Sequence, residues 1–321
     1  MTHTPETEAA FARFVTILGR GPGRSRALTR EEARTAFAMV LAGEADPHQV
    51  GAFMMLLRFR GEDADEIAGM VEASQAACNL GRETIADLDW PSYGAGRTRG
   101  APWFLLAALA LARSGVRVLM HGSNDFSSGI TVTDALTALG IAPCATLAEA
   151  SRALGADCFA YLPLAAMAPE IERLLGLRRL FGLRSPVNTV ARLLNPGNAP
   201  AGVDGVFHPP YIEVHLGVAE RLHRCSLLVL KGGGGEAERV PLKPTVAHLW
   251  RDGTRMERTL PGVEGLAALT PKEDTLDLLA AIWRGDVGSR TILATIHATI
   301  ELGLIASGRE GVAAEIWQGR R

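Results

Sequence analysis

Lysine is almost missing from this chain. It occurs only at positions 231, 243 and 272, so thirty of the thirty-three basic residues are arginine. Thirty-five acids balance them, and a net charge of −2 gives no global attraction for a polyanion. No apolar run reaches 18 residues; the longest, from Ala101 to Ala112, stops at Arg113-Ser114-Gly115. A membrane-spanning helix is therefore not expected. The four cysteines, Cys78, Cys144, Cys158 and Cys225, show neither zinc nor redox spacing. Their apolar sequence neighbours predict buried, reduced thiols. The polar, acidic start, Met1 to Glu8, is unlike a signal peptide, so a cytoplasmic protein is expected. Walker A, zinc-helix and nucleophile-elbow signatures are also missing, which disfavours those chemistries.

What is present divides the 321 residues into two regions. The first eighty residues read as helices with clear start signals. Thr29 with Glu32, Asp46-Pro47 with Gln49, and Asp63 with Glu66 each form a capping box. The run Phe53 to Leu57 is apolar nearly all round and predicts a buried helix or a dimer surface. We read residues 1–80 as an all-helical domain, with residues 165–196 as a helical segment that could pack back on it. Residues 81–321 alternate strand and helix patterns, which predicts an α/β domain with a largely parallel central sheet. Strand candidates are Asp87–Ser92, Val116–Met120, Ala156–Leu162, Cys225–Leu230 and a hairpin, Val246–Arg251 and Thr254–Leu260, turning at Asp252-Gly253. The segment from Tyr211 to Leu222 is ambiguous, and the chain from Thr275 reads as two amphipathic helices.

Three loops follow strand candidates and so belong on the ligand-binding edge of such a sheet. In the first, Gly94 and Gly96 with Arg97 and Arg99 run into the apolar segment from Trp103 to Arg113, with Pro102 at the expected first helical position. A glycine loop feeding a helix start offers free N–H groups and a favourable dipole to an anion. The second loop offers His121, Ser127, Ser128 and Thr131. The third offers Lys231, Gly232 and Gly233 within four consecutive glycines, which imply close backbone approach or repeated positive φ. Its Glu236 and Glu238 are candidate Mg²⁺ ligands. A cluster rich in Arg178, Arg179 and Arg184 adds positive charge. Plainer readings stand beside these: solvated loop arginines, a hydrogen-bonded structural His121, a solvated acidic loop and an arginine-lined helix face.

The stretch Ala36 to Gly61, with His121-Gly122, Ser127-Ser128, Ala138-Leu-Gly-Ile141, Leu175-Gly-Leu-Arg178 and Leu193-Leu-Asn-Pro196, resembles the anthranilate phosphoribosyltransferase family, whose fold is shared with the pyrimidine nucleoside phosphorylases (glycosyl transferase family 3). The working loops depart from that family's pattern at Arg97, Arg99, Met120, Ser123, Asn124 and Gly129. These departures resemble a divergent branch, the YbiB-like proteins. That likeness implies a homodimer through the N-terminal helices, lost anthranilate phosphoribosyl transfer, and single-stranded DNA or RNA held by arginine-rich loops without a required cofactor. The alternative implied by the family is a transferase using phosphoribosyl pyrophosphate with Mg²⁺ and an altered acceptor. Loss of two loop cations disfavours the parent reaction, because positive charge stabilises departing pyrophosphate.

Overall fold

The computed structural model describes residues 3–21, 23–81, 83–94, 100–124, 127, 129–270 and 274–320. Four helices come first: α1 (Pro5–Gly19), α2 (Arg30–Leu41), α3 (Pro47–Arg60) and α4 (Ala64–Ala77). The three capping boxes read from sequence open α2, α3 and α4, and a fourth, at Thr4, opens α1. In each, the cap side chain accepts an N–H that has no partner within the helix.

The sheet domain follows with β1 (Leu88–Ser92), α5 (Trp103–Arg113), β2 (Val118–Gly122), α6 (Val132–Ala138), α7 (Leu147–Asp157) and β3 (Phe159–Pro163). Four short helices come next: α8 (Leu164–Met167), α9 (Pro169–Gly176), α10 (Arg178–Phe181) and α11 (Val187–Arg192). The chain returns through β4 (Ala201–Val206), α12 (Pro210–Arg221) and β5 (Ser226–Lys231) to the hairpin β6 (Thr245–Arg251) and β7 (Thr254–Leu260). It ends in α13 (Leu276–Arg284), α14 (Arg290–Ser307) and α15 (Ala313–Gln318), three helices where the sequence suggests two, because Gly308 in the left-handed region stops α14.

Among the described residues the strand order is β3-β2-β1-β4-β5-β6-β7, parallel through β5 and antiparallel at the hairpin. Alternation along the strands feeds two cores. Leu227 and Val229 join the face shared with α1 to α4, α9, α11 and α12, while Leu228 and Leu230 join the face covered by α5, α13 and α14. Helix α5 is buried from Trp103 to Ala112, so its uniformly apolar sequence is a core feature.

The chain leaves β1 for β2 on one side and β4 for β5 on the other, so the strand order reverses between β1 and β4. A crevice is expected at such a switch point. Pro91 has no N–H to give, and β1–β4 pairing stops at Asp89–Gly202 while β1–β2 pairing continues to Ser92–Gly122.

Strand β4 is not evident in the sequence, because Ala-Gly-Val-Asp-Gly-Val carries two glycines and an acid. The glycines serve proximity: a side chain at Gly205 would collide with the Glu236 backbone, and one at Gly202 would press on Leu227. The thiols also depart from expectation. Cys78, Cys144 and Cys158 are only partly buried and Cys225 is exposed, since it precedes β5 where the hairpin end meets solvent. Pro102 is the residue capping α5, not its first helical residue.

Candidate functional site

The carboxyl ends of β1, β2, β4 and β5 meet α11 and α12 at the crevice. Its floor is a chain of buried polar groups. The Tyr93 hydroxyl lies 2.9 Å from His121 Nδ1, and His121 Nε2 lies 3.3 Å from Asp89 Oδ1. His121 is fully buried, with both ring nitrogens facing protein groups. Burial raises the Tyr93 pKa well above its ordinary value, so the phenol keeps its proton at neutral pH.

Beside this chain lies an ion cluster that joins α11 to the sheet. Arg192 donates to Asp204 at 2.8 Å and lies 3.7 Å from Glu236, and His215 Nδ1 sits 2.8 Å from the other Asp204 oxygen. Burial pushes the Asp204 carboxyl up, but Arg192 and His215 outweigh it and hold it below the ordinary value. Burial likewise opposes the Arg192 charge, and Asp204 with Glu236 more than restores it. The guanidinium also lies over the Tyr93 ring, 5.8 Å from its centre.

Above the cluster is a pocket of about 80 Å³ between the helical domain and β4. Arg58, Arg184 and Arg192 contribute charge, and Phe207, His208 and Tyr211 contribute ring surfaces. Two of these cations are engaged: Arg192 as above, and Arg58 by donating to the Tyr211 hydroxyl and by lying 3.6 Å from Glu62. Arg184 has no hydrogen-bond or ion-pair partner among the described residues and is partly buried. Burial, then the charges of Arg178, Arg192 and Arg58, lower its pKa to about 10. A desolvated, like-charge-crowded guanidinium in a pocket is the electrostatic complement of an anion.

The other residues singled out from sequence fall in several places. Gly96, Arg97, Arg99 and Ser128 lie outside the described residues. Gly94 is two residues beyond β1, and Ser127 donates its N–H to the Asn124 carbonyl at 3.1 Å. The Thr131 hydroxyl donates to Asp134 and accepts from the Asp134 N–H, so it caps α6. Arg178 and Arg179 lie on α10 beside the pocket's cationic wall, and Lys231 ends β5, exposed. The glycine run has an internal reason. Gly232 packs so closely on Glu236 that a side chain would collide with its carbonyl, while Gly234 and Gly235 have φ of 64° and 82°. Gly233 is exposed and meets no such restriction.

The start of α5 is not an open set of donors. Phe104 donates its N–H to Glu238 at 2.9 Å, and Ala101 donates to Asp274 at 2.5 Å. Glu236 faces Arg192, and neither Glu236 nor Glu238 belongs to a three-ligand group among the described residues.

Sequence reasoning passed over Arg58, Asp204, His215 and Tyr211. For Asp204 no sequence signal was available, because β4, the strand that buries it, is itself not evident there. Part of the arginine excess is spent on pairing with acids, as in Arg26–Glu32, Arg117–Asp87, Arg221–Asp65, Arg239–Glu301 and Arg255 with Glu213 and Glu220.

A helical bundle beside the carboxyl edge of a doubly wound sheet, with an arginine-lined pocket between them, defines a two-domain α/β protein. Comparison with known proteins gives the lineage. The helical bundle domain of a glycosyl transferase family matches residues 14–78, and the a/b domain of that family matches residues 104–281. The chain belongs to this family, glycosyl transferase family 3. It is 31% identical over 309 residues to an anthranilate phosphoribosyltransferase of Myxococcus xanthus, spanning 92% of this chain and 91% of the relative. It is 32% identical over 310 residues to one from Geobacillus sp., spanning 89% and 88%. The crystal structure of anthranilate phosphoribosyltransferase from Thermus thermophilus superposes with a TM-score of 0.79 at 25% identity, covering 97% of this chain and 93% of that one. The Saccharomyces cerevisiae enzyme in complex with PRPP and Mg shares the fold, with a TM-score of 0.72 at 16% identity over 98% of this chain and 93% of that one.

Proposed function

We propose that this protein is a phosphoribosyl-type transferase whose acceptor carries an anionic group bound by Arg184. The observation that carries this reading is the Arg184 guanidinium, partly buried and unpaired among the described residues, in a pocket of about 80 Å³. The acceptor's anion replaces the water that burial removes and relieves repulsion from Arg178, Arg192 and Arg58. Phe207, His208 and Tyr211 supply flat surfaces for a planar acceptor. Arg192, locked to Asp204, ties this acceptor wall to the sheet edge. The donor is phosphoribosyl pyrophosphate, supplied with Mg²⁺.

The test is pyrophosphate release from phosphoribosyl pyrophosphate and Mg²⁺ with a panel of aromatic carboxylates, anthranilate included. Release is expected with at least one acceptor, with Arg184→Ala raising its KM by about tenfold or more. Donor and acceptors that neither release pyrophosphate nor shift the melting temperature at millimolar concentration would overturn the reading.

A second reading, binding of single-stranded DNA or RNA by a homodimer, is favoured by one observation. Phe59 is 90% exposed between Arg58 and Arg60, and Leu180, 81% exposed, follows Arg178 and Arg179. An exposed ring flanked by guanidiniums, as at Phe59, suits a stacked base, and the apolar surface of Phe59 and Leu180 suits a second copy of the chain. Fluorescence anisotropy with labelled single strands should show affinity falling with salt, with a slope set by the phosphate contacts. Absence of binding at low salt removes this reading. Sedimentation with Phe59→Glu tests the dimer.

A further inference from the structure

The helical domain gathers metal-ligating side chains away from the crevice. His3 precedes Thr4, the cap of α1; Glu8 lies in α1; and Asp46 caps α3. Gln49 sets the two carboxylates side by side. Its amide oxygen accepts from the Asp46 N–H at 3.2 Å, and its amide nitrogen donates to the Glu8 carbonyl at 2.8 Å. Phe11 against Phe53, with ring centres 5.4 Å apart, holds the same two helices together in the core. His3 Nδ1 lies 2.7 Å from Glu8 Oε1, and one ligand atom from each of His3, Glu8 and Asp46 lies within 4.8 Å of the others.

Two further observations point to a cation. Neither Glu8 nor Asp46 has an arginine or lysine partner among the described residues, in a chain where Glu32, Asp65 and Asp87 each have one. With a neutral imidazole between them, two negative charges stand together without a counter-charge. His3 Nε2 is also buried and has no hydrogen-bond partner among the described residues, although an imidazole nitrogen donates or accepts in either tautomer. Asp46 is held from outside by His48, whose N–H donates to Oδ1 at 2.7 Å and whose Nδ1 lies 2.8 Å from the same oxygen. Such an outer partner orients a ligating carboxylate. An imidazole with two carboxylates is a donor set for Zn²⁺ and its neighbours, whereas Mg²⁺ prefers oxygen ligands and water.

We propose that His3, Glu8 and Asp46 form a Zn²⁺ site that fastens the segment before α1 to the start of α3. Rotation of the three half-buried side chains brings their ligand atoms onto one ion, which displaces any proton on the imidazole. The site shares no residue with the crevice pocket, so it is independent of the transferase reading.

The test is calorimetric titration of the chelator-treated, full-length protein with zinc, with melting curves in parallel. A single equivalent should bind, and the melting midpoint should rise with zinc concentration. His3→Ala and Glu8→Gln should each weaken zinc by about tenfold or more and abolish the rise. Asp46→Asn should do the same with a metal-free midpoint near that of wild type, because asparagine caps a helix as well as aspartate does. That variant separates loss of the ion from loss of the fold. No saturable binding at submillimolar zinc, or binding that all three variants leave unchanged, overturns the site. Weakening confined to His3→Ala assigns zinc to the imidazole alone and overturns it too.

Discussion

At Arg184, burial and three neighbouring guanidiniums oppose the proton, and the pKa falls to about 10. The sign of the consequence follows from that direction. A cation whose folded pKa lies below its ordinary value of 12.5 destabilises the fold while protonated, and the penalty is relieved as pH rises through about 10. An anionic acceptor offsets the same penalty at neutral pH. The guanidinium keeps its proton throughout the working range, so acceptor affinity should be flat between about pH 7 and 9, which a titration series of the intact protein checks. Arg192 is the opposite case, because Asp204 and Glu236 depend on it. Arg192→Leu leaves carboxylates in the crevice without that guanidinium and should lower stability by about 3–5 kcal/mol in denaturant titration. Neither role is visible in the sequence, where Arg184 and Arg192 belong to one basic run. Only their surroundings separate an unpaired pocket cation from a buried structural one.

At the scale of elements, legibility follows how local the cause is. The starts of α2, α3 and α4 rest on side chains three residues apart, and the structure shows all three capping boxes. The α2 box carries an ionic component. Arg26 pairs with Glu32 at 2.6 Å and, with the Thr29 N–H, holds that carboxyl down at about 2. A depressed carboxyl stabilises above its ordinary value of 4.5 and loses that contribution as pH falls towards 2. Glu32→Gln should therefore reduce the acid sensitivity of unfolding between those two values, measured by melting midpoints across pH. Thr29→Ala should cost about 1 kcal/mol at neutral pH. Strand β4 was hidden for the converse reason. Its glycines answer to Leu227 and Glu236, residues that the sequence does not place beside it. The same holds for the glycine loop, where Gly232 and Gly235 serve the loop's own tight path. Gly232→Ala should displace Glu236 and lower the melting midpoint, whereas Gly233→Ala, at an open position, should change it little.

At the scale of the whole molecule, the α/β class, the helical N-terminal domain and the family were all legible from periodicity, caps and short matching segments. The pocket was not, because residues 58, 184, 192, 207 and 211 meet only when the helical domain closes against the sheet edge. An arginine-rich composition suggested a polyanion surface, yet many of those arginines pair with acids, and Arg184, unpaired among the described residues, lies in a pocket. The measurement that tests this account most directly is acceptor-dependent pyrophosphate release from phosphoribosyl pyrophosphate, wild type against Arg184→Ala, with the acceptor concentration varied. The account predicts release that requires an anionic acceptor and an acceptor KM raised by about tenfold or more in the variant. Release with the same acceptor KM in both proteins, or no release with any acceptor, would contradict it.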